Sequence, residues 1–322
     1  MRHAIAPLLI LLLLSLLASG CSSQLGNGGD EMGESNKTIQ EGMLASAMQE
    51  GKYEEIYSQF SKELQELVTL RDFEALGTEF VQGEQFDLIS TMPVNGYRDE
   101  VWHNQASSPK GIMAVMDGQQ TIVGFQVLNL VSYPETDQLS SETAFQLPFQ
   151  DEWLVFWGGK NVFVNYHYEY DEGRYAYDFV KVKDGYTYEG DPTQNESYYA
   201  YDEPVLAPAA GTVIAVVDGI EDNVPGEMNP AQSAGNMVVI EHNNGEKSLL
   251  AHFKKDSIKV KMGDSVEAGQ LLGTCGNSGN SSEPHIHYEV TKPQADGSEL
   301  SIPITFEDGK EWVRGDIAVG SN

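Results

Sequence analysis

Three histidines in the second half of the chain are spaced in a way that could do chemistry. His252 ends the short apolar run Leu250-Ala251-His252, and the segment His285-Ile286-His287 follows a Gly-rich stretch. Alternate side chains of a strand share one face, so His285 and His287 are expected to point the same way. Their Cα atoms would lie roughly 6.5 Å apart, at about 3.3 Å per residue. One imidazole could then bind a metal ion while the other reaches a substrate.

Three other residues with reactive side chains are expected to be structural. His103 is the only histidine in residues 38–131, where no ligands or nucleophile cluster. His242 precedes an Asn-Gly turn and is predicted to hydrogen-bond within it. Cys275 has apolar neighbours and is predicted to be a small buried side chain rather than a thiolate ligand. No His-Glu-x-x-His motif occurs in the sequence, which excludes the thermolysin arrangement with its glutamate base.

Two glycine-containing phrases, 204–213 and 260–273, belong to the elements that must position these histidines. Each predicts a strand that enters a tight Gly turn and leaves as a strand. As a pair they resemble the barrel-sandwich hybrid shared by biotinyl carriers, lipoyl carriers and lysostaphin-type peptidases. A carrier needs a modifiable lysine in the following hairpin. The sequence has no lysine between Lys261 and Lys292, which disfavours a carrier.

The order of the candidate residues resembles the lysostaphin-type zinc peptidases, over about residues 150–305. In that family a His and an Asp come early, a His follows a short apolar strand, and His-x-His follows a Gly-rich loop. The resemblance implies that His167, Asp178 and His287 hold Zn²⁺, and that His252 and His285 face the scissile peptide. Two histidines and one carboxylate leave a fourth position for water, as catalytic zinc sites do. The implied enzyme is a zinc metalloendopeptidase acting on a peptidoglycan stem peptide or cross-bridge.

The aspartate ligand departs from the family's commonest spacing. That spacing would place it four residues after His167, at Asp171, but the residues around Asp178 resemble the family's ligand strand better. We predict that 161–170 and 174–183 are the arms of a hairpin with a turn at 172–173, which puts His167 opposite Asp178. Paired side chains on one face are ~5 Å apart at Cβ, whereas Asp171 would lie about 13 Å along the strand from His167.

The rest of the chain predicts two domains with a connector. Helical periodicity around 38–48, 56–67 and 73–81, followed by short strands near 86–89, 100–103, 111–116 and 121–127, indicates an α+β accessory domain at 38–131. Its pattern resembles a nuclear-transport-factor-like cone, and it is assigned no chemistry. Residues 132–146 are predicted to be a connector, and 147–322 an all-β barrel-sandwich hybrid peptidase domain. Residues 183–202 look like an insertion beside the site, and some of the tyrosines in 166–201 are expected to line a substrate groove.

The first residues predict an exported lipoprotein. Arg2, an apolar run over 8–17 and Ala18-Ser19-Gly20-Cys21 have the order of an export signal, and the cysteine resembles a bacterial lipobox with Ala18 where Leu is usual. We expect a signal peptide at 1–20, a lipid anchor on Cys21 and a linker over 21–37. The expected location is the outer face of the bacterial cytoplasmic membrane. Cys275 would then have no disulfide partner.

The charge of the chain excludes one class of partner. Nineteen basic and 49 acidic side chains give a formal charge of −30, which argues against nucleic acid, because phosphate contacts need Lys and Arg. Two other functions compete with the peptidase. A non-catalytic module with the peptidase fold, binding wall peptides or activating another hydrolase, should lack ligands, and every expected residue type is present. A histidine phosphocarrier would need a cytoplasmic location, which the export signal opposes.

Overall fold

The structure is a computed structural model that describes residues 38–321 of the 322-residue chain. The predicted signal peptide 1–20, Cys21 and the linker 21–37 lie outside the described residues. Among residues 38–321, no helix has both the length and the apolar character needed to cross a bilayer.

The N-terminal part is α+β, with helices followed by an antiparallel meander. Its helices are α1 (Leu44–Gln49), α2 (Tyr53–Ser58), α3 (Lys62–Leu67) and α4 (Leu70–Val81). Its strands are β1 (Asp87–Val94), β2 (Tyr97–His103), β3 (Lys110–Asp117) and β4 (Ile122–Asn129), in the sheet order β1-β2-β3-β4. The predicted order, helices first and then four strands, is confirmed, but four helices form where three were predicted. The resemblance to a nuclear-transport-factor-like cone stays a prediction.

One predicted helix of this part is wrong. The apolar spacing over 56–67 predicted a single helix, but α2 ends at Ser58 and α3 begins at Lys62. The residues between them bond to the edge of the sheet: Ile122 donates its N–H to the Gln59 carbonyl at 2.7 Å, and Ser61 donates to the Ile122 carbonyl at 2.9 Å. The Ser61 hydroxyl then accepts from Leu64 N–H and caps α3. Pairing with a strand therefore overrides the local helical periodicity.

The turn between β1 and β2 is set by its two residues. Asn95 and Gly96 both have positive φ, 51° and 82°. An Asn-Gly pair is favoured there because a two-residue hairpin turn with positive φ at both positions matches the twist of the strands. The turn lies at one end of the four-stranded sheet, and it contacts the C-terminal part, as described below.

The C-terminal part is rich in sheet, as predicted. A short helix α5 (Pro134–Asp137) precedes it, and its strands are β5 (Ala144–Phe145), β6 (Asp151–Trp157), β7 (Tyr177–Val180), β8 (Pro204–Leu206), β9 (Gly211–Val217), β10 (Asn236–Glu241), β11 (Lys247–Phe253), β12 (Ser265–Val266), β13 (Leu271–Thr274), β14 (Ile286–Pro293), β15 (Glu299–Ser301), β16 (Thr305–Phe306) and β17 (Ile317–Gly320). The large sheet has the order β12-β9-β10-β11-β14-β7-β6-β17, with β15 added to β14. Two small sheets pair β8 with β13 and β5 with β16.

Both glycine phrases form the strand-turn-strand units that were predicted. The first is β8 followed by β9, and the second is β12 followed by β13, with Gly263 and Gly269 at positive φ. One core runs under these units, and Cys275, Leu272 and Val213 are among its buried members. Cys275 is free and 1% exposed, which confirms the small buried side chain. Within the predicted connector, Phe145 is fully buried in this core; the domain boundaries stay predictions.

The two parts of the chain share packed side chains. Met92 and Val94 of β1 form one buried cluster with Leu154 and Val180 of the large sheet. Arg314 forms a buried ion pair with Asp99 of β2, and its carbonyl accepts from Ser90 Oγ at 2.7 Å. The four-stranded sheet β1-β2-β3-β4, called the accessory sheet below, is therefore in direct contact with strands β6 and β7 of the large sheet.

Candidate metal centre

Strand β14 supplies one side of the site by simple alternation. Ile286, Tyr288 and Val290 are buried in the core, with exposures of 1% or less. The alternate residues His285 and His287 therefore face the other way, as the period of a strand requires. This confirms the sequence prediction that the two imidazoles share one face.

Asp178 reaches His287 across a pair of neighbouring strands. In the antiparallel pairing of β7 with β14, Asp178 lies directly opposite His287, where side chains on the same face approach closely. Asp178 Oδ1 lies 2.9 Å from His287 Nδ1, and its Oδ2 lies 3.1 Å from His167 Nε2. Asp178 is 4% exposed. One buried carboxylate thus joins both histidines.

His167 does not lie on a strand, so the predicted hairpin is wrong. Residues 166–169 form a short 3₁₀ helix, and β7 pairs with β6 and β14 instead. Asn165 explains the local fold: its Oδ1 accepts from His167 N–H at 3.1 Å, and its Nδ2 donates to the Ala176 carbonyl at 3.1 Å. An asparagine that bonds nearby backbone competes with a strand ladder. His167 and Asp178 are close together, as predicted, but through the 3₁₀ helix and strand β7 rather than through a hairpin.

The donor set fits a single metal ion. Ligand atoms from His167, Asp178 and His287 all lie within 4.8 Å of one another, and this is the one such group of His, Cys, Asp or Glu within residues 38–321. Tetrahedral zinc with bonds of about 2.0–2.2 Å separates its ligand atoms by roughly 3.4 Å. The two contacts of Asp178, at 2.9 and 3.1 Å, are close to that spacing. Nitrogen and carboxylate oxygen are also donors that Zn²⁺ accepts.

Asp171 is outside this set. Its side chain is 93% exposed and forms an ion pair with Arg174. The guanidinium of Arg174 also stacks on the Tyr133 ring, 3.3 Å from its centroid. Asp171 is therefore a surface residue paired with Arg174, and the geometry favours Asp178 as the carboxylate of the site.

His252 and His285 lie beside the donor set with one ring nitrogen fixed. His252 Nδ1 is 2.7 Å from the Ser278 carbonyl, and His285 Nδ1 is 2.8 Å from the Glu283 carbonyl. Because a carbonyl only accepts, each Nδ1 carries the proton and each Nε2 keeps its lone pair. The ring centroids of His252 and His285 are 4.6 Å apart, and His285 Nε2 lies 3.7 Å from Asp178 Oδ1.

The backbone at His252 is in an uncommon conformation. Its φ is +64°, in the left-handed region that non-glycine residues seldom adopt. It lies near the end of β11, where Asn236 pairs with Phe253 after a register shift. His252 N–H donates to the Ala234 carbonyl, and its own carbonyl accepts from Gly276 N–H. These two backbone hydrogen bonds hold the residue in this uncommon conformation.

Burial and neighbouring charges set the protonation of the site. Burial lowers the pKa of His252 well below its ordinary value, and the imidazoles of His285 and His287 lower it further. Burial also lowers the pKa of His285. Burial alone would raise the pKa of Asp178, but the positive charge that His167 and His285 carry once protonated in acid, and the hydrogen bonds from His167 and His287, outweigh it and hold that pKa well below the usual range. At neutral pH the site holds neutral His252 and His285 beside an ionised Asp178.

The remaining histidines of the described residues lie away from the donor set. His242 Nδ1 bonds to the Ala210 carbonyl at 2.9 Å and its Nε2 to Ser248 Oγ at 2.8 Å, so its ring has a structural role, although its partners lie outside the Asn-Gly turn where they were predicted. His103 is partly buried at the end of β2.

Two neighbours of the site were not singled out from the sequence. Glu289 Oε2 lies 4.0 Å from His287 Nε2, and strand alternation from His287 could have found it. Asn165 had no such signal. Tyr166 lies closest of the predicted tyrosines, with its ring centroid 3.9 Å from that of His167. Tyr168 and Tyr175 bond to Asp137 instead and support the fold.

Residues 197–300 match the profile of Peptidase family M23. The peptidoglycan DD-endopeptidase ShyA of Vibrio cholerae is 46% identical over 57 residues, covering 18% of this chain and 13% of that protein. An uncharacterized metalloprotease of Buchnera aphidicola is 36% identical over 83 residues, covering 26% of this chain and 20% of that protein. The chain thus spans a fifth or less of the length of these curated relatives.

Among solved structures, the catalytic domain of lysostaphin from Staphylococcus simulans is 21% identical, with a TM-score of 0.25 over 39% of this chain and 73% of that chain. A TM-score this low adds no argument to the sequence match. The matched range contains His252, His285 and His287 but not His167 or Asp178. The place of those two residues in the site therefore rests on geometry.

Proposed function

We propose, from the premise that residues 197–300 are a domain of peptidase family M23, that this protein is a zinc-dependent endopeptidase of bacterial peptidoglycan. The observation that carries the proposal is the convergence of His167, Asp178 and His287, from a 3₁₀ helix and two paired strands, on one buried point. A fold alone hosts many functions, so the argument depends on this site.

The three converging side chains would hold Zn²⁺ through Nε2 of His167, a carboxylate oxygen of Asp178 and Nδ1 of His287. When bound there, Zn²⁺ supplies a Lewis acid that polarises a carbonyl and lowers the pKa of water. Three protein ligands leave one position open to solvent or substrate, which separates a catalytic from a structural zinc site.

His252 and His285 would carry the proton transfers. Each has Nδ1 held by a backbone carbonyl, which leaves Nε2 as the atom able to accept a proton. In hydrolysis, water adds across the C–N bond: its oxygen joins the carbonyl carbon and its protons pass to the new carboxyl and amine ends. An imidazole that has taken a proton can then brace the tetrahedral oxygen or donate to the leaving nitrogen.

The proposed substrate is a stem peptide or cross-bridge of peptidoglycan. Support comes from the family match and from relatives named as peptidoglycan DD-endopeptidases. A wall substrate also agrees with the export signal proposed for residues 1–20 and the lipid anchor proposed on Cys21. In bacteria fed a labelled fatty acid, the wild-type protein should take up the label and Cys21→Ser should not. Equal labelling of both proteins would refute the anchor.

A histidine series tests the enzyme proposal through metal content and hydrolysis together. Wild-type protein supplied with zinc at neutral pH should hold about one ion per chain by elemental analysis. His287→Ala should lose both zinc and hydrolysis. His252→Ala and His285→Ala should keep most of the zinc, yet lose hydrolysis by factors of roughly 10² or more.

The matched control is His103→Gln, because His103 lies on the accessory sheet and should affect neither quantity. Equal zinc loss in all three site variants would show that ligands and proton carriers are wrongly assigned. Absence of zinc above background in the wild type would end the enzyme proposal in favour of a non-catalytic binding module.

A further inference from the structure

The turn between β1 and β2 bonds to a segment next to the candidate metal centre. Asn95 donates its backbone N–H to the Gly185 carbonyl at 2.7 Å. Its side chain also grips Thr187, since Asn95 Oδ1 accepts from Thr187 N–H at 2.9 Å and Nδ2 donates to Thr187 Oγ1 at 3.1 Å. Thr187 is 2% exposed. The accessory sheet thereby fixes one residue of the segment 183–202 through both its backbone and its side chain.

The hydroxyl of Thr187 continues this contact toward the site. Having accepted from Asn95, it can donate to Glu283 Oε2, which lies 3.3 Å away. Within residues 38–321 this is the only side-chain hydrogen bond of the Glu283 carboxyl, and no Lys, Arg or His forms an ion pair with it. Burial raises the pKa of Glu283 to about 7. A partly buried carboxyl with a single donor depends strongly on that donor for its position.

Glu283 in turn holds a proposed catalytic ring. Its backbone carbonyl accepts from His285 Nδ1 at 2.8 Å and from Ser281 Oγ at 2.9 Å. The orientation of the His285 ring, and the proton on its Nδ1, are set by this carbonyl together with Ser281 Oγ, which lies 3.1 Å from Nδ1. Hydrogen bonds therefore connect Asn95 to Thr187, Thr187 to Glu283, and Glu283 to His285.

We infer that Asn95 and Thr187 are positioning residues for His285, so that the accessory sheet holds the proton-transfer group of the peptidase domain in place. This inference rests on the function proposed above. Among the described residues, the accessory sheet has no cluster of metal ligands of its own. The inference nevertheless gives this sheet a role in hydrolysis.

Two substitutions at Thr187 separate the hydroxyl from the packing. Thr187→Val keeps the shape and removes the hydroxyl, whereas Thr187→Ser keeps the hydroxyl. Thr187→Val should lower kcat about 10-fold with KM and zinc content unchanged, because small displacements of a catalytic group reduce the rate by up to ~10²-fold. Thr187→Ser should recover most of that loss. Asn95→Gly, which tolerates the positive φ, should resemble Thr187→Val, and the double variant should lose no more than either alone.

The matched control is Asp184→Gly. Asp184 also has positive φ, at 52°, and it is exposed in the same segment. Among the described residues its side chain makes no hydrogen bond to Glu283 or Asn95. Its replacement should leave kcat, KM and zinc content unchanged. A loss as large as that of Asn95→Gly would mean that the backbone of the segment, rather than the polar contacts, matters.

An activity-independent measurement keeps this inference separate from the proposed function. In protein labelled with ¹⁵N-histidine, the His285 Nδ1–H signal, assigned by its loss in His285→Gln, should exchange slowly with water in the wild type. Exchange should accelerate about 10-fold in Thr187→Val and stay slow in Thr187→Ser. Identical exchange in the wild type and Thr187→Val would overturn the positioning role, whether or not the protein hydrolyses peptidoglycan. A wild type without hydrolysis but with the expected exchange pattern would refute the enzyme function alone.

Discussion

Replacing Asp178 with Asn probes both the metal and the fold, because the carboxylate lies between two buried imidazoles. Its oxygens accept from His167 and His287 at 3.1 and 2.9 Å. The amide introduced by Asp178→Asn would offer one acceptor oxygen, so one imidazole N–H would face an NH₂ group. A hydrogen bond to a charged group is worth about 1.5–3 kcal/mol. The metal-free protein should therefore lose roughly that much free energy of unfolding.

The effect of Asp178→Asn on zinc should be larger. The variant loses the only anionic ligand of the set, and even the loss of an indirect ligand partner lowers metal affinity by about 10–100-fold. We expect at least ~10²-fold weaker zinc binding, measured by competition with a chromogenic chelator. A separate urea titration of the metal-free protein measures the loss of free energy of unfolding. Asp171→Asn is the control, since that side chain is exposed on the surface. Loss of zinc in Asp171→Asn with retention in Asp178→Asn would refute the assignment.

Two further predictions concern stability. Arg314→Ala should lower the free energy of unfolding by about 3–5 kcal/mol, because it leaves Asp99 buried without its partner; a loss below about 1 kcal/mol in a denaturant titration would contradict a buried pair between the two parts of the chain. Burial lowers the pKa of His242, so the folded chain favours the neutral ring. The unfolded chain binds a proton at His242 once the pH falls below about 6.5, the ordinary histidine pKa, and the free energy of unfolding therefore decreases below that pH. His242→Gln should flatten the pH dependence of unfolding between about pH 7 and pH 5, and an unchanged slope would count against this source.

Local patterns in the sequence predicted the parts of the site that depend on a single element. The alternation of β14 requires His285 and His287 to share a face, and the second glycine phrase requires tight turns at Gly263 and Gly269. These features depend on neighbours within a few residues. They could be derived before any tertiary contact was known.

Other parts depended on contacts distant in sequence. Asp178 meets His287 because β7 pairs with β14, a register between strands more than a hundred residues apart. The predicted hairpin brought His167 to Asp178 for the wrong reason, since the side chain of Asn165 turns that segment into a 3₁₀ helix. Likewise, the break between α2 and α3 follows from pairing at Ile122. Such side-chain bonds and long-range pairings cannot be read from the local periodicity of the sequence.

The packing of the accessory sheet on the C-terminal part could not be predicted from the sequence either. Arg314 and Asp99 give no sign in the sequence that they pair, and Thr187 is one polar residue in a segment full of them. These polar residues matter because they are buried, where an unpaired polar group is costly and each hydrogen-bond partner is therefore important. The sequence predicted an insertion beside the site at 183–202, and the structure adds that this segment bonds to the Asn95 turn.

The most direct test of the central claim is digestion of purified peptidoglycan by the purified protein, followed by mass analysis of the released fragments. We predict that zinc-loaded protein converts cross-linked fragments into products that together are heavier by one water per bond cut. A chelator should abolish this and added zinc should restore it, while His285→Ala loaded with zinc should release almost nothing. Fragment release that is insensitive to the chelator, or no release by zinc-loaded wild type, would contradict a zinc-dependent peptidoglycan endopeptidase.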